Sequence, residues 1–350
     1  MGLEIAFYPE SATKQDLRLH LLSHGFIPGR SGWPRLPNHA YFYWFEAKDF
    51  QSTGGVEATI RPPDEWDNHE GMRVPPGPWV LHTRTKVWVS SFDKEKQNEV
   101  IRTARRKFGG SFFNDWYGIN RYTKVEKDQH SPVERGIIAL HESVSQEISK
   151  VRSALPDPQI ARPKANNVAQ RAIAQQMARM DPSTVIYNAL IPFAVAIFEH
   201  YFSAIFVILL RYDPSAQKRL RDVDRKVDLA DALAISRGEK TVEEVVAGAY
   251  TFQNLDHIQK AFNDWLGIDF WQMIRQKRRR GRRVERLSDV LQEIIGSRHG
   301  VIHRFELDYE LDRKKIEDVF DTIRLLMDTL IDTLESDKGL QIRDGLVWSD

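Results

Sequence analysis

Residues 185–210 are apolar over a length that could cross a bilayer. A segment of this kind has two stable destinations, lipid or the centre of a helical bundle. Glu199 and His200 stand near its middle, beside Asn188, Pro192 and Ser203. Charge at mid-bilayer is expensive, so the segment reads as the buried core helix of a soluble protein that makes no membrane contact. Asp181-Pro182 supplies an N-cap followed by proline in the first turn, and Asp213-Pro214 stops the helix. A core helix needs others to cover it. Helical periodicity recurs over about 216–236, 241–249, 255–266, 286–302 and 313–334, with capping-box spacing from Thr241 to Glu244. The second half is therefore expected to be an all-α bundle.

The first half has another rhythm. Residues 3–8 form a short apolar strand stopped by Pro9, and Ser11 or Thr13 can cap a helix over 14–23, closed by Gly25. Strands are expected over 39–47 and 56–60, joined through Gly54-Gly55. Residues 61–78, dense in Pro, Asp, Asn and Gly, read as loop. Over 80–90, Leu81, Thr83, Thr85, Val87 and Val89 face one way, and His82, Arg84, Lys86 and Trp88 the other. A helix over 93–107 follows. The order β-α-β-β-β-α calls for an antiparallel sheet with helices on one face. Tyr41-Phe42-Tyr43-Trp44-Phe45 suits a base-stacking platform or packing on both faces of a central strand, and packing is the preferred reading. Arg102, Arg105, Arg106 and Lys107 read as a solvated helix face near Asp93, Glu95 and Glu99.

A helix over 132–154 runs into a proline-dense stretch ending near Asn167, where the composition changes. The expected fold class is α+β. A mixed α/β domain covers 1–130, a helical and proline-rich linker 131–180, a helical domain 181–337, and a fraying tail 338–350. With 50 basic and 49 acidic residues the formal net charge is +1, so any surface for a polyanion must be local. The absence of cysteine removes disulfides, Cys-ligated zinc, iron–sulfur clusters and thiol nucleophiles. The first residues carry no basic region or long apolar run, and Ala6 stands where a myristoylation signal wants Ser or Thr. A cytoplasmic location is expected. No Walker pattern, G-x-S-x-G or H-E-x-x-H occurs.

What remains is Ser297-Arg298-His299-Gly300-Val301-Ile302-His303-Arg304. On an ideal helix Arg298 and His303 lie about 140° apart, within reach of a long guanidinium, and His299 and His303 share a face. Four readings fit. His299 and His303 could begin a metal site if Glu306 or Asp308 completed it. Arg298 could hold a phosphate while His303 moves protons. Both could meet carbonyls at a helix end. The group could also grip nucleic acid without cutting it. Upstream, Arg275, Lys277, Arg278, Arg279, Arg280, Arg282, Arg283 and Arg286 are broken by Gly281 and countered by Glu285 alone. Such a run repels itself unless it is solvated or neutralised by a polyanion. A phosphate-binding strip beside an Arg/His site accounts for both features, with no metal and no other cofactor.

With these residues the second half, over about 182–335, resembles a HEPN domain, the helical nuclease module of many prokaryotic toxins and phage-defence proteins. The hallmark of that family is R-x(4–6)-H with a polar residue often following the Arg. Arg298-His299…His303 matches it at the shortest spacing, and His299 stands where many members carry Asn or Asp. An early apolar helix with Phe198-Glu199-His200-Tyr201 is part of the likeness. So are a middle region from Asn254-Leu255-Asp256-His257 to Leu266-Gly267-Ile268 and a long terminal helix.

The resemblance implies metal-independent endoribonuclease activity. His303 would take the proton of a ribose 2′-OH, Arg298 would hold the phosphorane oxygens, and an imidazolium would protonate the leaving 5′-oxygen. His299 would support the site. Glu199, as a buried carboxylate in need of a partner, would sit beside His303 or Arg298, or pair with His200 or Arg211 for structure alone. Lys277, Arg278, Arg279, Arg280, Arg282 and Arg283 would bind RNA. A homodimer would bring two motifs to one cleft, as a toxin or anti-phage effector held by an antitoxin or released by a phage-derived trigger. The N-terminal domain would sense that trigger, choose the RNA or restrain the nuclease. Some members of the family only bind, so a non-catalytic nucleic-acid- or protein-binding module is the alternative.

Overall fold

A computed structural model describes residues 2–29, 36, 38–67, 69, 77–87, 89–126, 129–160, 167–222, 226–275, 277–280 and 283–346. The chain divides into two compact units, Met1–Pro132 and Val133–Asp350.

In the first unit β1 (Gly2–Tyr8) leads into α1 (Lys14–Ser23). Then come β2 (Ile27–Pro28), β3 (Ala40–Trp44), β4 (Val56–Arg61), β5 (Val80–Lys86), α2 (Ser91–Phe108), β6 (Ser111–Asn114) and β7 (Gly118–Ile119). The strands form one antiparallel sheet in the order β2-β3-β4-β5-β1-β6-β7. Alternation along each strand sends one set of side chains to the helices. Ile5, Phe7, Phe42, Val56, Ala58, Ile60, Leu81 and Phe112 pack there against Leu17 and Leu21 of α1 and Val100, Ile101, Ala104 and Phe108 of α2. Thr13 caps α1 in a reciprocal box with Asp16. Gly110, at φ 99°, passes so close to Tyr8 that a Cβ would lie 2.1 Å from its carbonyl oxygen, so the turn into β6 requires glycine.

The strand expected over 39–47 stops at Trp44. Ser52 N–H donates to the Glu46 carbonyl at 3.0 Å and Glu46 N–H to Ser52 Oγ at 2.9 Å, which closes a loop in place of a tight Gly54-Gly55 turn. The expected strand over 80–90 ends at Lys86, because Ser90 is already the N-cap of α2, accepting from Asp93 N–H at 3.2 Å. Trp88 lies outside the described residues. In the aromatic run Phe42 enters the core, while Tyr41 and Tyr43 lie half-buried on the opposite face.

The second unit consists of α3 (Pro132–Ser153), α4 (Val168–Met180), α5 (Pro182–Tyr212), α6 (Pro214–Asp222), α7 (Leu229–Ser236), α8 (Val242–Gly248) and α9 (Leu255–Ala261). A π turn (Phe262–Leu266), α10 (Phe270–Ile274), the strands β8 (Lys277–Arg280) and β9 (Arg283–Arg286), α11 (Leu287–Arg304) and α12 (Arg313–Lys338) complete it. The long apolar helix α5 passes a length and composition test for a membrane span. Within the unit it packs against α6, α8, α11 and α12. Its Phe202 and Phe206 meet Phe262 and Phe270 in an aromatic cluster.

Two parts of the unit differ from the sequence reading. Val133–Ser153, within the segment expected as linker, carries a buried row of Ile137, Val144 and Ile148. It is joined to α12 by Arg152 to Asp321 at 2.7 Å. Residues 161–166 of that segment lie outside the described residues. The tail does not fray at 338. Ile342 is fully buried, Ile342 N–H and Arg343 N–H both donate to Glu335 Oε1, and Gln341 N–H donates to Glu134 Oε1.

Candidate functional site

α11 carries the Arg/His group, and its surroundings fix it closely. Leu287, Leu291 and Ile294 form its buried stripe, and it packs on α5 and α12. Its end is closed by Phe305, which adopts φ 53° and ψ 35° and donates its N–H to the Gly300 carbonyl. The left-handed region is unfavourable for a bulky residue, and the Phe305 side chain is left 80% exposed. Three residues later Asn188, buried on α5, donates Nδ2–H to the Asp308 carbonyl at 3.0 Å and accepts Asp308 N–H at 2.8 Å. The exit from α11 is thereby pinned to the core helix.

Arg298, His299 and His303 occupy the last turns. Arg298 is half-buried, both histidines are exposed, and their rings lie 4.6 Å apart. Among the described residues none of the three makes a side-chain hydrogen bond or ion pair. A role in capping carbonyls is thus not taken up. Of the acids weighed as a third metal ligand, Glu306 pairs with Arg304 at 3.1 Å, and Asp308 accepts from Glu310 N–H at 2.8 Å. No group of three or more His, Asp or Glu suited to a metal ion occurs among the described residues.

Next to this group a cleft of about 480 Å³ opens between Ile191, Glu293, Ser297, Asp308, Lys315 and Asp318. Three carboxylates against one lysine make this cleft unfavourable for a phosphate.

Glu199 is not part of the group. Its Oε2 accepts from Gln253 Nε2, and Arg211, one alternative partner, pairs with Glu243 at 3.7 Å. Glu199 is half-buried rather than buried, and its partner is a neutral amide just upstream of α9.

The basic strip is a two-stranded ribbon. Its Cα register sets Lys277 opposite Arg286, Arg278 opposite Glu285, Arg279 opposite Val284 and Arg280 opposite Arg283. Arg282 lies outside the described residues. The base of the ribbon, at Arg286, is the N-terminal end of α11, and at about 1.5 Å per residue Arg298 and His303 stand about 18 and 25 Å further along the axis.

No family model, curated protein or solved structure matches this chain.

Sequence reasoning missed a second polar group, on the sheet face that α1 and α2 leave uncovered. Tyr8 donates its hydroxyl to Asp67 at 2.8 Å and meets His69 Nε2 at 2.9 Å. Asp67 also holds Arg61 in a bidentate pair at 2.6 and 2.8 Å. Burial raises the Asp67 carboxyl pKa, but the hydrogen bonds from Arg61, Asp64 N–H and Tyr8 outweigh it and leave a net lowering. His69 stacks on Phe113 with centroids 3.7 Å apart. On the same face His82 Nε2 lies 3.0 Å from Glu4, whose pKa is lowered by that hydrogen bond. Asp115 is shifted the other way by burial and by Glu4. The signal available in sequence was the polar side of β5, His82, Arg84 and Lys86. Asn188 too was visible, as an amide inside an apolar run.

Proposed function

We propose that this protein is a HEPN-type, metal-independent endoribonuclease working as a homodimer, with Arg298 and His303 as catalytic residues. The observation that carries the reading is that Arg298, His299 and His303 sit together on an exposed helix end with no side-chain bonds to the rest of the described chain. Elsewhere cations such as Arg61, Arg152, Arg313 and Arg343 are paired. Polar groups fixed on a rigid helix and left unengaged are available to a ligand.

The chemistry follows from the residue types. His303 accepts the proton of a ribose 2′-OH as the oxygen attacks phosphorus. Arg298 donates to the non-bridging oxygens, and an imidazolium returns a proton to the departing 5′-oxygen. His299 and His303 lie on one face of α11 with rings 4.6 Å apart and do not serve both sides of one phosphorus, so the second proton-transfer group comes from another copy. α5 supports that pairing. Pro182, Ile186, Ala189, Phe193, Ala196 and His200 are all exposed and recur at alternating spacings of four and three. This is the seam of a helix that packs against another helix. The setting is cytoplasmic, with a toxin or phage-defence role under an antitoxin or a trigger. The N-terminal sheet, with its second polar group, is the part that senses or restrains.

The test is cleavage of a mixed RNA pool in EDTA by wild type and His303→Ala, with end-group analysis. Products ending in 2′,3′-cyclic phosphate, absent with the variant, are expected. A folded wild-type dimer that binds RNA and leaves it intact would favour the non-catalytic binding module instead.

A further inference from the structure

We infer that the arginine ribbon β8–β9 is a remote anchor that selects RNA by length, requiring a polyanion that spans the whole of α11. The inference rests on the ribonuclease reading of Arg298 and His303. An isolated two-stranded hairpin is marginal in water, and like charges directly opposite weaken it further. This ribbon pairs Lys277 with Arg286 and Arg280 with Arg283, and among the described residues its strands join no other sheet. Over 277–286 the sequence has seven cations and one anion. Such an element is completed by a polyanion that neutralises it.

Geometry then sets what the polyanion must be. The ribbon begins where α11 begins, and the cutting group lies about 25 Å away at the other end of the same helix. A helix is a rigid spacer. A phosphate held at the base of the ribbon is therefore not the phosphate at His303. A strand touching both covers about seven nucleotides if stacked at about 3.4 Å each. The cleft beside Ser297 is acidic at Glu293, Asp308 and Asp318, so that cleft is a poor seat for phosphates next to the cut. Oligonucleotides shorter than the helix reach Arg298 and His303 alone, and longer ones gain the ribbon as well.

The test compares full-length protein with an Arg278→Ala, Arg279→Ala, Arg280→Ala, Arg283→Ala variant, on unstructured RNAs of about 4 and about 20 nucleotides. For the long RNA the variant is expected to lose at least about tenfold in kcat/KM, and the slope of log affinity against log salt should fall by about 3, at roughly 0.7 per contact on a single strand. For the short RNA the variant's loss of kcat/KM should be several-fold smaller than for the long one. Equal loss at both lengths would overturn the remote anchor and place the ribbon, or a second copy's ribbon, at the scissile phosphate. No loss at either length would overturn the ribbon as an RNA contact. Absence of cleavage by wild type at both lengths is a different failure, of the ribonuclease reading. The salt slope, read from binding alone, still decides the anchor in that case. Circular dichroism and dimer mass of the variant show that it folds.

Discussion

Asn188 and Asp308 meet as two strands would: the Asn188 side-chain amide donates to the Asp308 carbonyl at 3.0 Å and its oxygen accepts the Asp308 N–H at 2.8 Å. Asn188 is buried, and its Nδ2 also donates to the Thr184 carbonyl at 2.8 Å. One side chain thus ties the end of the helix bearing Arg298 and His303 to the core of the second unit. Asn188→Ala leaves the Asp308 peptide groups without partners and should cost about 2–3 kcal/mol. Urea denaturation measures that loss. Cleavage should fall with it, because the exit of α11 is released.

Glu199→Gln separates the observed arrangement from the expectation that Glu199 serves the site. Glu199 bonds to Gln253, and an amide there keeps one hydrogen bond. Stability should change by less than about 1 kcal/mol, and kcat should stay within about twofold. A tenfold fall in kcat, about 1.4 kcal/mol, would put Glu199 back beside His303.

Phe305→Gly should stabilise the fold by about 1 kcal/mol, since glycine carries no penalty at φ 53°. Thermal denaturation at fixed concentration reads the gain. If the exposed ring helps join two copies, sedimentation should show a weaker dimer in the same variant. The two changes together would explain why a strained, exposed phenylalanine stands at this place.

His141 provides the pH dependence. It is buried against Tyr201, with Nδ1 2.9 Å from the hydroxyl. Burial, aided by the charges of Arg343 and Arg324, pushes its pKa down to about 4. The unfolded histidine titrates near 6.5, so the unfolded chain binds the extra proton first. The contribution is fully present above about pH 6.5 and is lost as pH falls toward 4, on the order of 3 kcal/mol in all. Asp328, 3.7 Å from the same ring, is raised by burial and acts with the opposite sign as pH rises above the ordinary carboxylate value. Denaturation midpoints of wild type and His141→Gln between about pH 4 and 7 should converge at the acid end.

Local chemistry made much of the fold legible. Thr13, Asp181 and Thr241 each cap the helix that their sequence context announced, because a cap is decided within four residues. The alternation of Leu81 and Thr83 against His82 and Arg84 placed β5 correctly with respect to the helices. The limits came where distant groups decide. The strand after Trp44 yields to an exchange between Glu46 and Ser52, and the short strands β6 and β7 are made by β1 and by each other rather than by their own residues. Ile342 settles into the second unit, a contact that no property of a polar tail reports. At the candidate site, the spacing of Arg298 and His303 was legible because one helix carries both. The separation of the ribbon's base from that group was not, because it is set by where α11 begins and ends.

The two edges of the N-terminal sheet, β2 (Ile27–Pro28) and β7 (Gly118–Ile119), are each only two residues long. A proline on one of them has no amide hydrogen to offer, and so short a rim gives an incoming peptide almost no ladder to continue. Among the described residues, these rims give little purchase for strand addition, which many sheet domains use to capture extended segments. The same bluntness guards the unit against stacking edge to edge into fibres.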